Sequence, residues 1–150
     1  MWFLAGNAGG KTSRTCVVPA GKPIFFPVLN YYESAALDKA EDKKLLAAAK
    51  AEIDRAAEVQ ATLHGKPITG LDQFRVASAV FVFTGPAKAA EAAFDDAVGK
   101  NKAASDGYWL MLKPLPVGKH TLHFRGKTKA AQGKKPFDLD VTYELTVQEK

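Results

Sequence analysis

The segment Phe137-Asp-Leu-Asp-Val-Thr-Tyr-Glu-Leu-Thr-Val147 alternates without a break. Phe137, Leu139, Val141, Tyr143, Leu145 and Val147 share one face; Asp138, Asp140, Thr142, Glu144 and Thr146 share the other. A period of two with one apolar face describes a strand that buries one side and wets the other. Two more strand candidates precede it, Gly107-Tyr-Trp-Leu-Met-Leu-Lys113 and Gly118-Lys-His-Thr-Leu-His-Phe124. Pro114, Pro116 and Gly118 stand between them, a punctuation that predicts a hairpin. Three antiparallel strands in one block predict a mainly β chain, an antiparallel β-sandwich or jelly-roll-like fold.

Upstream the same logic extends the strands. Met1-Trp-Phe-Leu-Ala5 reads as a short strand, Gly6-Asn-Ala-Gly-Gly10 as a hairpin turn, and Ser13-Arg-Thr-Cys-Val-Val18 as a β-branched strand. Pro23-Ile-Phe-Phe-Pro-Val-Leu-Asn30 is strongly apolar, and Pro27 within it predicts an edge strand or a bulge. Residues 30–34 leave that apolar run as a loop or a pocket rim, the loop being favoured. Residues 59–64, 66–71, 74–76 and 80–83 supply further strand pieces, the first two joined by a turn at His64-Gly65. Asp38, with Glu41 three residues on, has the form of a capped helix start. Leu45, Leu46, Ala49, Ile53, Ala56, Ala57 and Gln60 follow at helical spacing, so one substantial helix is expected over residues 38–60, packed outside the sheet. Ala-rich residues 87–98 suggest a second, short helix, and residues 99–105 a polar linker. Strands cluster here instead of alternating with helices, which argues against a doubly wound fold. Neither repeats nor a boundary appear, so residues 1–150 read as a single domain.

Composition narrows function without fixing it. The chain has 150 residues, 47% hydrophobic and 25% charged, with a net charge of +5 and a pI near 9.3. No apolar run approaches the roughly 20 residues that span a bilayer. Met1-Trp-Phe-Leu-Ala5 is too short for a signal peptide and lacks its basic start, so no export signal is read and localisation stays unknown. Arg125, Lys127, Lys129, Lys134 and Lys135 form a basic stretch with no acid among them. No aromatic residue interleaves the lysines as a base-stacking platform requires. A solvated hairpin loop is therefore expected, with weak polyanion contact at most and no specific nucleic-acid partner.

Four features invite chemistry. Ala5-Gly-Asn-Ala-Gly-Gly-Lys-Thr12 fits a relaxed phosphate-loop pattern, but that motif needs a following helix to hold the phosphate. The residues that follow are β-branched, so a turn is expected. The single cysteine, Cys16, lies in a strand context where a buried, inert thiol is the default. His120 and His123 are three apart on a strand and point to opposite faces, so together they make no metal site. His120 shares the face of Leu122 and Phe124, which predicts partial burial; His123 joins Thr121 and Arg125, open to a polar partner. Trp109 and Met111 share one strand face while Tyr108, Leu110 and Leu112 share the other, which predicts a central strand covered on both sides. Trp109 then belongs to the core.

Several stretches carry a resemblance over nearly the whole chain. They are Trp2-Phe-Leu-Ala-Gly6, Arg14-Thr-Cys16, Pro19-Ala-Gly-Lys22, Phe25-Phe-Pro27, Asn30, Phe74-Arg-Val76, Ser105-Asp-Gly-Tyr-Trp-Leu-Met-Leu112, Gly118-Lys-His-Thr-Leu-His-Phe124 and Leu139-Asp-Val-Thr-Tyr143. In this order they resemble a family of small, often secreted bacterial proteins of uncharacterised function. The resemblance implies export and a further N-terminal segment whose cysteine would partner Cys16.

No nucleophile with a flanking base and no paired-carboxylate spacing emerges. The leading expectation is a non-catalytic β-sandwich binding or interaction module whose partner is a small molecule, a glycan or a protein, with no cofactor and no metal assigned. The alternative is a small hydrolase or metal-dependent enzyme. Arg14, Asn30, Glu33, Asp106 and His123 are the polar residues expected to bind a ligand, and Arg14, Glu33, Asp106 and His123 also motivate the enzyme alternative.

Overall fold

A computed structural model describes residues 1–86, 98–131 and 133–149. Among these, the order is β1 (Trp2–Phe3), β2 (Gly10–Pro19), β3 (Ile24–Ala36), α1 (Asp42–Ile53), β4 (Ala56–Leu63), β5 (Lys66–Pro67), a 3-10 helical turn at Leu71–Phe74, β6 (Arg75–Ala77), β7 (Phe81–Thr84), β8 (Lys100–Leu112), β9 (Gly118–Thr128) and β10 (Asp138–Gln148). One sheet runs β2-β10-β9-β4-β5; the other runs β1-β3-β8-β6, with β7 also paired to β8. The chain is mainly β, in a sandwich-like arrangement with one described α-helix. Two compact units are built from it. The first comprises Met1–Leu29, Arg55–Arg75 and Tyr108–Lys150; the second comprises Asn30–Asp54 and Val76–Gly107.

In the first unit β10 is the organising strand. It pairs antiparallel with β9, from Asp138↔Lys127 to Val147↔Gly118, and parallel with β2, from Leu139↔Gly10 to Gln148↔Pro19. Its alternation now has a physical address: Leu139, Val141, Tyr143, Leu145 and Val147 are all buried. Phe124 of β9 sits on the same inner face. Its ring centre lies 5.1 Å from Phe26 of β3 and 6.3 Å from Tyr143, so the two sheets meet through aromatic contact. Gly126 permits a close approach of β9 to β3. A Cβ there would fall 2.7 Å from Leu29 Cβ and 2.8 Å from the Val28 carbonyl oxygen, distances that no side chain tolerates.

In the second unit α1 buries Leu45, Ala49 and Ile53, one narrow stripe at intervals of four residues. Asp42 at its first turn meets Lys102 of β8 at 2.9 Å. Strand β8 pairs with β7 from Phe81↔Ala103 to Thr84↔Lys100, and Ala103 and Ala104 are buried. Ser105 Oγ donates to the Tyr31 carbonyl at 2.8 Å, and its backbone N–H donates to Ser78 Oγ at 2.9 Å.

Several expectations are corrected. Residues 107–113 and 118–124 form no hairpin: β8 and β9 lie in different sheets, and residues 113–117 carry the chain between them. Leu110 faces inward from one sheet and Leu122 from the other, an arrangement that alternation alone does not distinguish from a hairpin. The sheets are mixed, because β1 pairs parallel with β3 as β2 does with β10. The helix occupies Asp42–Ile53 rather than 38–60. Glu41 takes the cap position without a side-chain cap bond, and residues 56–63 join β9 as a strand. Ladder hydrogen bonds and the bond from Arg55 to the Lys129 carbonyl outweigh the helix preference of two alanines there. Residues 30–34 continue β3, and residues 100–105 are strand, not linker. Pro27 lies just beyond the short ladder that β1 makes at Ile24 and Phe25. The helix expected near residues 87–98 falls on 87–97, outside the described residues.

Candidate functional site

The site is built on the outer face of the sheet that holds β1, β3 and β8, within the first unit. Alternation turns Ile24 and Phe26 inward on β3, leaving Phe25 outward. On β8 Leu110 is buried, so Trp109 and Met111 point the other way. On β1 the register sets Phe3 beside Phe25. The result is a row across three strands. The Phe3 and Phe25 rings are 6.0 Å apart and tilted; Phe25 and Trp109 are 5.5 Å apart and within 8° of parallel. Phe3 is 56% exposed and Met111 59% exposed. This corrects the expectation of a strand covered on both faces. Trp109 is half-buried by Phe25, and the remainder of the row meets solvent. Two neighbouring strands with apolar residues on both faces were the sequence signal for this row; whether a further layer covered it was not encoded there.

The outer face of the other sheet, also in the first unit, is polar. His123 Nε2 lies 3.0 Å from Asp140 Oδ1, and Thr121 Oγ1 donates to Glu144 at 2.9 Å. Arg125 Nη2 donates to Asp138 Oδ2 at 3.0 Å, with Glu58 at 3.5 Å and Lys127 3.9 Å from the same Asp138 oxygen. The hydrogen bond to Asp138, with its charge, raises the Arg125 pKa, and the same bond holds the Asp138 carboxyl below the usual carboxylate range. Arg125 and Lys127 are thus strand residues flanked by acids from neighbouring strands, not part of an acid-free loop. Sequence separation hides this, because the acids arrive from β4 and β10.

At one end of that face an open cleft of about 570 Å³ is lined by residues that include Gly9, Gly10, Lys11, Arg125, Phe137 and Asp138. Its glycine-rich wall is the phosphate-loop look-alike. Strand β2 follows it rather than a helix, so no helix N-terminus faces the cleft. The turn joins strands of different sheets and is therefore not a hairpin. Asn7 shapes it: Oδ1 accepts from the Gly9 N–H at 3.0 Å, while Nδ2 donates to the Gly10 carbonyl and Thr12 Oγ1.

The polar residues expected at a site each sit within their own unit. Arg14 faces inward on β2, where Nη1 donates to the Ala5 and Gly6 carbonyls and to Tyr143 Oη, each at 2.9 Å. His123 faces outward on β9. The two lie on opposite faces of one sheet, since Arg14 pairs with the inward Tyr143 and His123 with the outward Thr142. Glu33 Oε2 accepts from Tyr31 Oη at 3.0 Å. Asn30 is half-buried on β3, and Asp106 is buried on β8 with partners of its own. Cys16 is half-buried, with Trp2 Nε1 3.3 Å from its Sγ. No described helix is long and apolar enough to cross a membrane.

No family model matches the chain, and no curated protein matches it. Among solved structures, a cysteine protease inhibitor from Entamoeba histolytica aligns over 98% of this chain and 95% of its own, at 12% identity and a TM-score of 0.31. That likeness is too slight to bear on function.

Proposed function

We propose that this protein is a non-catalytic binding module that engages a protein ligand through the row Phe3, Phe25, Trp109 and Met111. Its support is the row itself: a near-parallel ring stack flanked by two large apolar side chains, each more than half exposed. Aromatic residues and methionine are the types enriched where proteins meet, and the flexible thioether of Met111 adapts to a partner's relief. Phenylalanine offers no hydrogen-bonding handle for sugar hydroxyls, which favours a protein over a glycan. The enzymatic alternative draws less support, because Arg14 is committed to two carbonyls and a tyrosine, and His123 to Asp140.

Peptide-display selection on the intact chain tests the reading, with enriched peptides counter-screened on Met111→Lys and Phe3→Ser. Both substitutions are at exposed positions and should leave the circular dichroism unchanged. Loss of a hot-spot side chain from a binding face typically costs about 2 kcal/mol or more, roughly 30-fold in affinity. Enriched peptides should lose at least that on both variants. Peptides that bind the variants as well as the parent, or a response confined to a glycan array, would show the row is not the protein-binding surface.

A further inference from the structure

We propose that His64 and His120 form a two-histidine site for a borderline divalent cation such as Zn2+ or Ni2+. The two belong to one unit and come together only in the fold, His64 from the turn after β4 and His120 from β9. His64 Nε2 lies 3.0 Å from His120 Nδ1, and His120 Nε2 lies 2.8 Å from the Pro116 carbonyl oxygen. A carbonyl only accepts, so the hydrogen of neutral His120 resides on Nε2 and its Nδ1 presents a lone pair toward His64. A histidine whose second nitrogen donates to a backbone carbonyl is the form in which metal ligands are commonly held, with tautomer and ring orientation fixed. His120 is also only 8% exposed, so packing holds its ring as well.

Spacing agrees with this chemistry. Metal–nitrogen bonds of about 2.0–2.1 Å place two neighbouring ligand nitrogens roughly 2.8–3.4 Å apart in tetragonal or tetrahedral geometry. The observed 3.0 Å falls in that interval. His64 is exposed at its turn, which gives an ion access and leaves its ring free to pivot so that both lone pairs converge. With His120 Nδ1 accepting, His64 Nε2 donates the hydrogen of the 3.0 Å contact, so binding exchanges that bond for the ion and moves the His64 hydrogen to Nδ1, where solvent accepts it. Water fills the remaining positions, because among the described residues no group of three or more His, Cys, Asp or Glu gathers to hold a metal. The turn itself adds a reason to notice His64. It has φ +53° and Gly65 φ +72°, a pair of positive angles for which Asn-Gly is the usual choice. Histidine stands where asparagine would serve the backbone better.

That same preference supplies the control, since His64→Asn keeps the turn and removes the ligand. Titration calorimetry with Zn2+ near pH 7.5, on the parent chain, His64→Asn, His123→Gln and Cys16→Ser, reads the site. Binding of one ion per chain is expected for the parent, His123→Gln and Cys16→Ser, with loss in His64→Asn. Imidazole NMR should show His64 and His120 resonances moving together on addition of Zn2+ while those of His123 stay in place. Absence of binding by the parent, binding that survives His64→Asn, or binding that disappears with Cys16→Ser would each overturn the assignment.

Discussion

Gly126 of β9 lies tight against Val28 and Leu29 of β3, and its lack of a side chain is a packing requirement. An added Cβ meets both a backbone oxygen and a neighbouring Cβ under 3.0 Å, so a strand must shift to admit it. Overpacking of this kind typically costs about 1–3 kcal/mol, and Gly126→Ala should lower the urea midpoint accordingly. Tyr143 closes the N-terminal segment: its hydroxyl donates to the Ala5 carbonyl and accepts from Arg14, both at 2.9 Å. Tyr143→Phe removes both bonds, each worth about 0.5–1.5 kcal/mol net; the loss is read by the same unfolding measurement. Asp138 gives a pH signature. Its pKa is lowered in the fold by the Arg125 hydrogen bond, so the stabilisation is present above the unfolded value of about 3.9 and is lost as pH falls through the folded value. The stability gap between the parent and Asp138→Asn should therefore be open at neutral pH and close below about pH 4. A gap constant down to pH 2 would exclude the ion pair as its source.

Two strands that look alike in sequence play different parts as elements. Strands β8 and β9 both carry large apolar residues, but Phe124 on β9 is fully buried between Phe26 and Tyr143, whereas Trp109 on β8 is half-buried and stacked on Phe25. Phe124→Ala should cost about 3–5 kcal/mol, as large-to-small changes in a packed core do. Trp109→Ala should cost clearly less, and the comparison of denaturation midpoints tests it. An equal loss for the two would mean that the row around Trp109 is packed as core. Helix α1 shows the converse, local preference yielding to pairing. Ala56 and Ala57 suit a helix, but β9 offers this stretch a ladder of backbone hydrogen bonds, so the helix stops at Ile53.

At the scale of the whole chain, closure is long-range. Arg14 of β2 and Tyr143 of β10 stand side by side although 129 residues separate them in sequence. Chains dominated by such pairings form them late, and all-β domains typically fold in milliseconds to seconds; stopped-flow fluorescence should place this protein in that range. What the sequence determined by itself was local. The period of two in residues 137–147 set which β10 side chains are buried, the β-branched run after Gly10 set a strand rather than a helix behind the glycine-rich turn, and the alternation around His120 and His123 assigned their faces. These follow from the geometry of single strands, which neighbouring residues encode. The tertiary structure alone decided that β8 and β9 belong to different sheets, that β2 lies parallel to β10, that Glu58 and Asp138 flank Arg125, and that His64 meets His120. It also decided that the face of Trp109 stays open. Alternation specifies which side a residue faces but not what stands opposite, and strand partners separated by tens of residues are chosen by the packing of the whole core.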